Sequence, residues 1–577
     1  MYKLKKKRNK VLLSERVLRK TDKYEAIVEL ARRKGFFWPS YEIYGGVSGF
    51  IDLGPLGVAL KNKIMNKWRK FFLKNEEFIE ISTPIITPNK VFEASGHVEH
   101  FNDPIIECNR CKRKYRADNV LKEIGVTDTE SLSLNEIENE IKNKLIKCPE
   151  CTGDLSKPDY FQTMFSTTIG PYSDSIGYGR PETAQGIFIN FKRVLETMRG
   201  KFPLAIAQIG PALRNEISPR QGPIRLREFT IMEFEFFYDP EEPNCPKLKE
   251  VEGDSIKILP ELIKSKGGET IHLTIKEGLD RGFILNEWLA YFMALSQRFA
   301  SELGINVEKQ RFDEKLKNER AHYSTQTYDH EVFLERWGWV EIAGHALRTD
   351  YDLSRHIKYS GADLSAFKPH ENPLIRRVKN IIPNIPKIRS NFQNPEKAIK
   401  LIRQANPDEF EKEIDSKGEY KIDNYVFHKD DIRIDFKEIK ETGRRFIPYV
   451  VEPSFGLERL VYATLEFSFS KFEDRTILKI PKDIAPIQAI VLPLVNKDGL
   501  PEKASEIHKK LINSGIDVLY DEIGSIGRRY ARSDEIGIPT AITVDYKTIE
   551  DDSVTLRDRD TWKQIRTDIE KIIEFIQ

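Results

Sequence analysis

The chain has 577 residues, 40% apolar and 32% charged, a composition that suits a soluble globular protein of several domains with ample core. Lys and Arg number 92 against 90 Asp and Glu, so total charge selects no partner and local clusters must be read instead. No apolar run approaches the roughly 20 residues a spanning helix needs, and four of the five cysteines form two C-x₂-C pairs, which points to a reducing compartment and a metal rather than disulfides.

Residues 1–20 carry nine Lys/Arg against Glu15 and no apolar stretch. They read as a basic tail, either unstructured or touching RNA, and not as a secretory signal. DKYEAIVELARRK (22–34) predicts an amphipathic helix with Asp22 near its N-cap. After the glycine-rich stretch YGGVSGFIDLGPLG, residues 58–75 predict a long helix with Leu60, Ile64, Trp68 and Phe71 or Phe72 on one stripe. EEFIEISTPIITP (76–88) predicts a strand closed by prolines. Residues 105–160 read as an insertion bounded by the cysteine pairs, with a helical excursion through 119–145. Residues 161–240 contain strand-like runs, 241–330 read as a more polar second insertion with helices, and 365–430 as a third, rich in charge and proline. VFLERWGWVEIAG (332–344) is strand-like, and VVEPSFGLERLVYATL (450–465) is a strand running into a helix. Beyond Pro486, strands alternate with helices, the pattern of a small α/β domain.

Three stretches carry candidate chemistry. In LRNEISP (213–219), which follows the apolar run FPLAIAQIGPA, Arg214 and Glu216 share parity if the strand continues. In IRLREFTIMEFEFF (224–237), one face presents Arg225, Arg227, Phe229, Ile231, Glu233 and Glu235, and the other Met232, Phe234 and Phe236. In VVEPSFGLERL, Glu452 and Ser454 share strand parity, and Arg459 falls in the first turns of the next helix. Carboxylates among apolar neighbours are costly unless they meet cations or ligands. One reading is a structural Arg–Glu network or a solvent-open sheet face. The other is a sheet floor with arginines for phosphates and carboxylates for an amine.

Together the pieces resemble the class II aminoacyl-tRNA synthetases, with the three motifs at 56–84, 213–229 and 453–459. FWPSYEIYGG, GPLG, EASGHVEHFNDP, RPETAQGIFINFKR, GWVEIAGHALRTDYDL and EPSFGLERL further resemble the glycyl-tRNA synthetase family of the homodimeric type, over about three quarters of the chain. The resemblance implies an α+β fold, an antiparallel sheet flanked by helices, in a catalytic domain over 21–485 with the insertions above, and an α/β anticodon-binding domain over 486–577. It implies a cytoplasmic enzyme that activates glycine with ATP and Mg²⁺ and transfers it to tRNA, acting as a homodimer without membrane attachment and without an editing domain.

By the same resemblance Arg214 and Arg459 are catalytic, holding phosphate charge. The ATP site comprises Arg214, Asn215, Glu216, Ile224, Arg225, Leu226, Arg227, Glu228, Phe229, Glu341, Ile342, Gly456, Leu457, Glu458 and Arg459. Glu216 faces the adenine amino group, Phe229 stacks on adenine, and Glu341 and Glu452 are candidate Mg²⁺ ligands. The glycine site comprises Arg116, Glu182, Phe229, Thr230, Ile231, Met232, Glu233, Arg348, Glu452, Pro453, Ser454, Phe455 and Gly456. Crowded carboxylates suit glycine, which offers only its amine to grip, while a tight pocket refuses alanine by clash.

Cys108, Cys111, Cys148 and Cys151 suit a structural Zn²⁺; the alternative is four reduced thiols, and Cys245 is expected to be inert. His97 and His100 read as loop residues at the site entrance with no catalytic role, and His345 as a neighbour of the pocket. Arg528, Arg529 and Arg532 suit tRNA phosphates, and RRVKNIIPNIPKIR (376–389) is either an acceptor-arm contact or a solvated face. The alternatives are another class II synthetase for serine, threonine or proline, a synthetase-like binding protein without catalysis, and a zinc- and RNA-binding protein. The first lacks a use for so many acids, the second should lack Arg214, Glu216 and Arg459, and the third leaves the strand carboxylates unexplained.

Overall fold

In a computed structural model of the chain, the described residues are 23–576 apart from positions 75, 77, 127, 128, 130, 131, 172, 173, 220, 473 and 474. The basic stretch 1–20 and Asp22 lie outside them. Helix α1 (Lys23–Lys34) buries Ile27, Leu30 and Ala31. Helix α2 (Pro55–Trp68) begins with proline in its first turn, where the missing N–H costs nothing. Its stripe is Leu60, Ile64 and Trp68, each fully buried, and Phe72 completes it while Phe71 is only half-buried. A spacing of four outruns the α-helical period of about 3.6. From Arg69 to Lys74 the helix adopts wider π turns, which bring Phe72 back to the buried side.

The expected strand over 76–88 is two separate pieces. Ile79–Glu80 (β1) joins the main sheet, whereas Ile86–Pro88 pairs in a small three-stranded sheet. Pro84, between them, supplies no N–H to continue a ladder. The main sheet continues with β2 (Leu204–Leu213), β3 (Glu228–Tyr238), β4 (Ser255–Leu259), β5 (Ile271–Thr274), β6 (Gln310–Glu314), β7 (Gln326–Leu334), β8 (Gly338–Thr349) and β9 (Tyr449–Gly456), in the order β5-β4-β6-β7-β8-β9-β3-β2-β1. All neighbours are antiparallel except β1 with β2 and β4 with β6. The antiparallel sheet flanked by helices is therefore present.

Residues 241–330 are not set apart from this sheet. They provide β4, β5, β6 and part of β7, together with α4 (Glu287–Glu302), which buries twelve of its sixteen residues. The polar appearance of the segment comes from its short outer strands and turns. On one face of the sheet α2, α4 and α5 (Leu457–Ser468) enclose an aromatic layer. Phe234 and Phe455 lie 6.2 and 6.3 Å from the Trp68 ring, and Phe72 packs within 5.3 Å of Phe455. The opposite face carries α3 (Ala184–Thr197) and an open cavity.

Between Asn102 and Gln162 a three-stranded sheet and two helices, Ala117–Glu123 and Leu134–Asn143, close on a small core of Ile106, Val120, Leu121 and Ile137. Residues Ser365–Phe446 form a compact unit of their own, longer than the 365–430 expected from composition. The extension is the return strand of a ribbon, Ile432–Phe446, paired with Ala366–Pro383. In this ribbon Arg376 and Arg377 meet Glu441 and Glu438 at 3.2 and 3.0 Å, and Lys379 meets Asp408 at 2.8 Å. The basic look of 376–389 is thus answered by acids brought in from elsewhere in the unit. Beyond Pro486, β10 (Ala489–Pro493) pairs in parallel with β11 (Val518–Tyr520) and β12 (Thr540–Val544), and β13 (Ser553–Asp558) and β14 (Gln564–Asp568) follow antiparallel. Helices α6 (Leu500–Asn513) and α7 (Ile526–Glu535) pack with this sheet. No helix is long and apolar enough to cross a membrane among the described residues.

The aromatic layer underlies the floor of the cavity, so its loss should be felt as stability. Trp68→Ala is expected to cost about 3–5 kcal/mol, read as a lower urea midpoint; an unchanged midpoint would contradict the packing described.

Candidate active site

The floor of the cavity is the sheet face turned away from the aromatic layer. There β3 presents Ile231 and Glu233, β9 presents Glu452, Ser454 and Gly456, and β8 presents Gly344 and Ala346. Glu233 stands opposite Ser454, and Ser454 opposite Gly344. Ser454 Oγ donates to Glu233 Oε2 at 2.7 Å. Thr183, at the start of α3, donates its N–H and hydroxyl to Glu233 Oε1 at 2.6 and 2.5 Å. Carboxylates are favoured at helix N-termini, yet burial and the charge of Glu182 raise the Glu233 carboxyl above its ordinary range.

Arg348 balances this acid cluster from a fully buried position. Its Nε and Nη2 donate to Asp352 at 2.8 and 3.0 Å, and its Nη1 donates to Glu452 Oε2 at 2.8 Å. Nη2 also lies 3.6 Å from Glu182 Oε1. The guanidinium stacks 3.6 Å from the Tyr323 ring centre, which holds its plane. Burial pushes the Glu452 carboxyl above its ordinary range and Glu233 pushes it further, while Arg348 pulls it down. Burial would raise Glu182 too, but His97 and Arg348 hold it well below the usual carboxylate range.

The other end of the cavity is cationic. Arg214 follows the last residue of β2 rather than lying in a strand, so shared strand parity does not align it with Glu216; both belong to the loop between β2 and β3. Its Nε donates to Pro181 O at 3.1 Å, and its guanidinium lies 5.4 Å from the Phe229 ring. Arg225 and Arg227 also precede β3. Arg225 Nε donates to Glu216 Oε2 at 2.7 Å. Arg227 fastens the loop, donating to Glu216 O at 2.8 Å and Ser48 O at 2.6 Å. Gly49 is required beside it: its φ is +82°, and a Cβ there would meet Pro219 at 2.6 Å. Arg459, in the first turn of α5, donates to Ile224 O at 2.9 Å and to Glu341 O and Oε2 at 2.8 and 3.0 Å. Against desolvation, Arg459 and Lys315 hold the Glu341 carboxyl down to about 2. Next to it, burial and Glu341 lift Asp329 to about 7 despite Lys315 at 2.5 Å.

Glu182, Arg214, Glu216, Ile224, Arg225, Leu226, Phe229, Ile231, Glu233, Glu341, Ile342, Glu452, Ser454, Gly456, Glu458 and Arg459 all border this one cavity. Others do not. The side chains of Met232 and Phe455 belong to the aromatic layer, because alternation sends them through the sheet, and Leu457, the first residue of α5, is buried in the same core. Pro453 stands opposite His345 on that same side. Thr230 is held by Lys61 and Glu458, its Oγ1 accepting from Lys61 Nζ at 2.7 Å and its N–H donating to Glu458 Oε2 at 2.7 Å. Arg116 is engaged by Asp118 and Asp103 at 3.0 and 3.3 Å and does not border the cavity, nor do Asn215, Arg227 and Glu228. Glu452, tied to Arg348, is not available to a cation on the arginine side.

Sequence reasoning missed Tyr323, Thr327 and Asp329, which reach the cavity from the segment taken for an insertion. It also misjudged His97. That residue starts a short helix, His97–His100, is fully buried, accepts or donates at Nδ1 with Ser95 Oγ at 2.8 Å, and has Nε2 3.3 Å from Glu182 Oε1. Nothing in GHVEH hinted at a partner 85 residues on. The His345 ring lies on the aromatic side of the sheet, 6.0 Å from Phe455, with both nitrogens unpartnered among the described residues, and burial pushes it down to about 3.

Away from the cavity, the sulfur atoms of Cys108, Cys111, Cys148 and Cys151 all lie within 4.8 Å of one another. Two matching turns bring them together. Lys112 N–H donates to Cys108 O at 3.0 Å and Thr152 N–H to Cys148 O at 2.9 Å, with φ of +60° and +58° at those two residues. Cys245 is buried alone. In the C-terminal sheet domain, Arg529 is 2% exposed and donates to Gly524 O at 2.8 Å, and Arg532 is paired with Asp521. Arg529 is therefore a structural cation there, and of the three arginines Arg528 alone is exposed.

Residues 488–577 match the anticodon binding domain family. The chain is 46% identical to the glycine–tRNA ligase of Aeropyrum pernix over 560 residues, covering 96% of each protein. It is 47% identical to that of Thermococcus gammatolerans, covering 96% of this chain and 98% of the relative, and 43% identical to that of Methanocaldococcus jannaschii, covering 96% and 99%. Among solved structures, the prolyl-tRNA synthetase of Cryptosporidium parvum, complexed with halofuginone and AMPPNP, superimposes with a TM-score of 0.52 at 13% identity, over 96% of this chain and 76% of that one. At that identity the likeness concerns the fold.

Removing the central cation strands the acids around it. Arg348→Met is expected to destabilise the protein by about 3–5 kcal/mol, and by more at pH 8 than at pH 5. Acidification protonates the abandoned carboxyls, and a neutral carboxyl needs no counter-charge. Urea unfolding at the two pH values measures both effects; a loss that does not depend on pH would contradict the charge balance.

Proposed function

The chain belongs to the glycine–tRNA ligases, and we propose that the cavity on its main sheet is where glycine and ATP react. The enzyme is an aminoacyl-tRNA synthetase. The substrate assignment is carried by one observation: Glu182, Glu233 and Glu452 converge on one spot, and Ser454 hydrogen-bonds Glu233 beside them. An ammonium group satisfies that cluster, and Ser454 limits the room at the α-carbon, which favours glycine over larger amino acids.

In the first step a carboxylate oxygen of glycine bonds to the α-phosphorus of ATP and the bond to the bridging oxygen breaks, releasing pyrophosphate. No side-chain base is needed, because the nucleophile is already ionised. Arg214 neutralises charge that grows on the α-phosphate, and Arg225 and Arg459 receive the outer phosphates. Arg225 is latched on Glu216 without ligand, so phosphate draws it away and leaves Glu216 to accept from the adenine amino group. Phe229 stacks on the base. In the second step a hydroxyl of the terminal adenosine of tRNA attacks the glycyl carbonyl, and AMP leaves. Glu341 and Asp329 are the carboxylates that would hold Mg²⁺, a hard cation suited to oxygen donors, which supplies further charge neutralisation to the phosphates.

Residues 486–577 bind the anticodon arm, with Arg528 free to meet phosphate. Two copies of the chain pair through the first motif, where β1 is the last strand of the sheet, and the enzyme works in the cytoplasm. The four-cysteine cluster suits a structural Zn²⁺: four sulfurs on two turns match a tetrahedral thiolate site, which would cross-link the ends of the segment between the pairs.

ATP–pyrophosphate exchange without tRNA, run with each of the twenty amino acids, tests the central reading. Exchange is expected with glycine alone; exchange with another amino acid would remove the pocket assignment. Arg214→Ala is expected to lower the exchange rate by at least about 10²-fold with unchanged unfolding, the scale for losing one preorganised charge donor. Elemental analysis is expected to find about one zinc per chain, and none would return the cysteines to plain thiols.

A further inference from the structure

One carboxyl of the floor has no part in this scheme. Glu235 is fully buried, and neither of its oxygens has a hydrogen-bond partner among the described residues. It does not border the cavity but lies one step deeper on the same face of β3, between Glu233 and Phe237. Phe237 packs against Phe191 of α3 at 4.4 Å, so α3 covers this end of the floor.

The register names its neighbour. Glu233 pairs with Ser454 and Phe236 with Val451, which sets Glu235 directly opposite Glu452. Like charges directly opposite in a sheet repel, and a buried carboxylate without a donor is costly. The charged groups acting on this pair are Arg348 of β8, Asp352 of the helix that follows it, Glu182 before α3, and Glu233 of β3 itself. Arg348 is the cation among them. It donates to Glu452 and to Asp352, so negative charge is stabilised on Glu452 and not on Glu235. Burial and the charge of Glu452 push the Glu235 carboxyl well above its ordinary range.

We propose that Glu235 is held as a neutral carboxylic acid that donates its O–H to Glu452, and that it is a positioning residue for the amino group of glycine. Fixed by Arg348 on one oxygen and by Glu235 on the other, Glu452 keeps its orientation when the pocket is empty, and its remaining lone pairs are ready for the ammonium. No proton is exchanged in the reaction. The inference rests on the glycine-site reading given above.

The test uses the full-length enzyme and three variants, E235Q, E235L and E233Q. In pyrophosphate exchange, E235L is expected to raise the KM for glycine at least about tenfold with the KM for ATP unchanged, and E235Q to recover most of that loss, because an amide N–H replaces the acid O–H. Infrared difference spectra between the wild type and E235Q at neutral pH are expected to contain the C=O band of a protonated carboxylic acid. The proposal is overturned if E235Q raises the glycine KM as far as E235L, if the band is absent, or if E235L leaves the glycine KM unchanged while E233Q raises it. If E233Q also leaves it unchanged, the glycine-site reading fails instead, and the positioning role fails with it, whether or not the band is present. Should E235L not fold, the band and the E235Q KM decide: a band with a glycine KM near wild type supports the proposal, and either missing overturns it.

Discussion

The site depends on a single buried guanidinium. Arg348 has no access to solvent, and it holds Asp352, Glu452 and, at longer range, Glu182 in one arrangement. Burying so much charge is worthwhile only if each group is matched. That requirement explains much of the surrounding structure: Tyr323 closes over the guanidinium plane, α3 begins just after Thr183, whose N–H and hydroxyl Glu233 accepts from, and His97 is drawn against Glu182. None of these contacts is local in sequence. The arrangement is also short of positive charge, since four acids, Glu182, Glu233, Glu452 and Asp352, surround one arginine. In the proposed function, an arriving amino group would meet a cluster already shaped and short of a cation.

The two ends of the cavity differ in how they are built. The acid end stands on paired strands, whose hydrogen-bond ladders leave little freedom to Glu233, Glu452 and Ser454. The arginine end stands on the loop between β2 and β3 and on the first turn of α5, and its cations are parked on carboxylates and carbonyls. On the proposed assignment, a small ligand that must be discriminated would meet the rigid part and a large nucleotide the part built on a loop and a helix turn. Glu216 and Glu341 pair with Arg225 and Arg459, and in the proposed reaction they would hold these arginines until phosphate replaces them.

Much of this was legible in the chain itself. The alternation in IMEFEFF separates Glu233 from Phe234 across a sheet, and EPSFG does the same for Glu452 and Phe455, so the floor follows from period two alone. The i, i+4 spacing of Arg348 and Asp352 was there too, although spacing does not say that the pair is buried. What failed has physical causes. β2 ends at Leu213, so parity could not align Arg214 with Glu216; the alignment comes from a loop stapled by Arg227. Residues 241–330 seemed peripheral because outer strands are short and polar, yet the same segment buries α4 and sends Tyr323 and Asp329 to the cavity. The cations of 376–389 seemed available because their acids lie some 30–65 residues away in the chain.

In chain order the ribbon unit lies between β8 and β9, the neighbouring strands that carry Arg348 and Glu452. Its ends are tied to each other, Ala366 opposite Phe446, before the chain returns to β9. A loop closed at its base costs the sheet nearly the same entropy whatever its length, because the closure term grows only with the logarithm of residue number. The excursion can therefore be lengthened or trimmed at little entropic cost to the sheet.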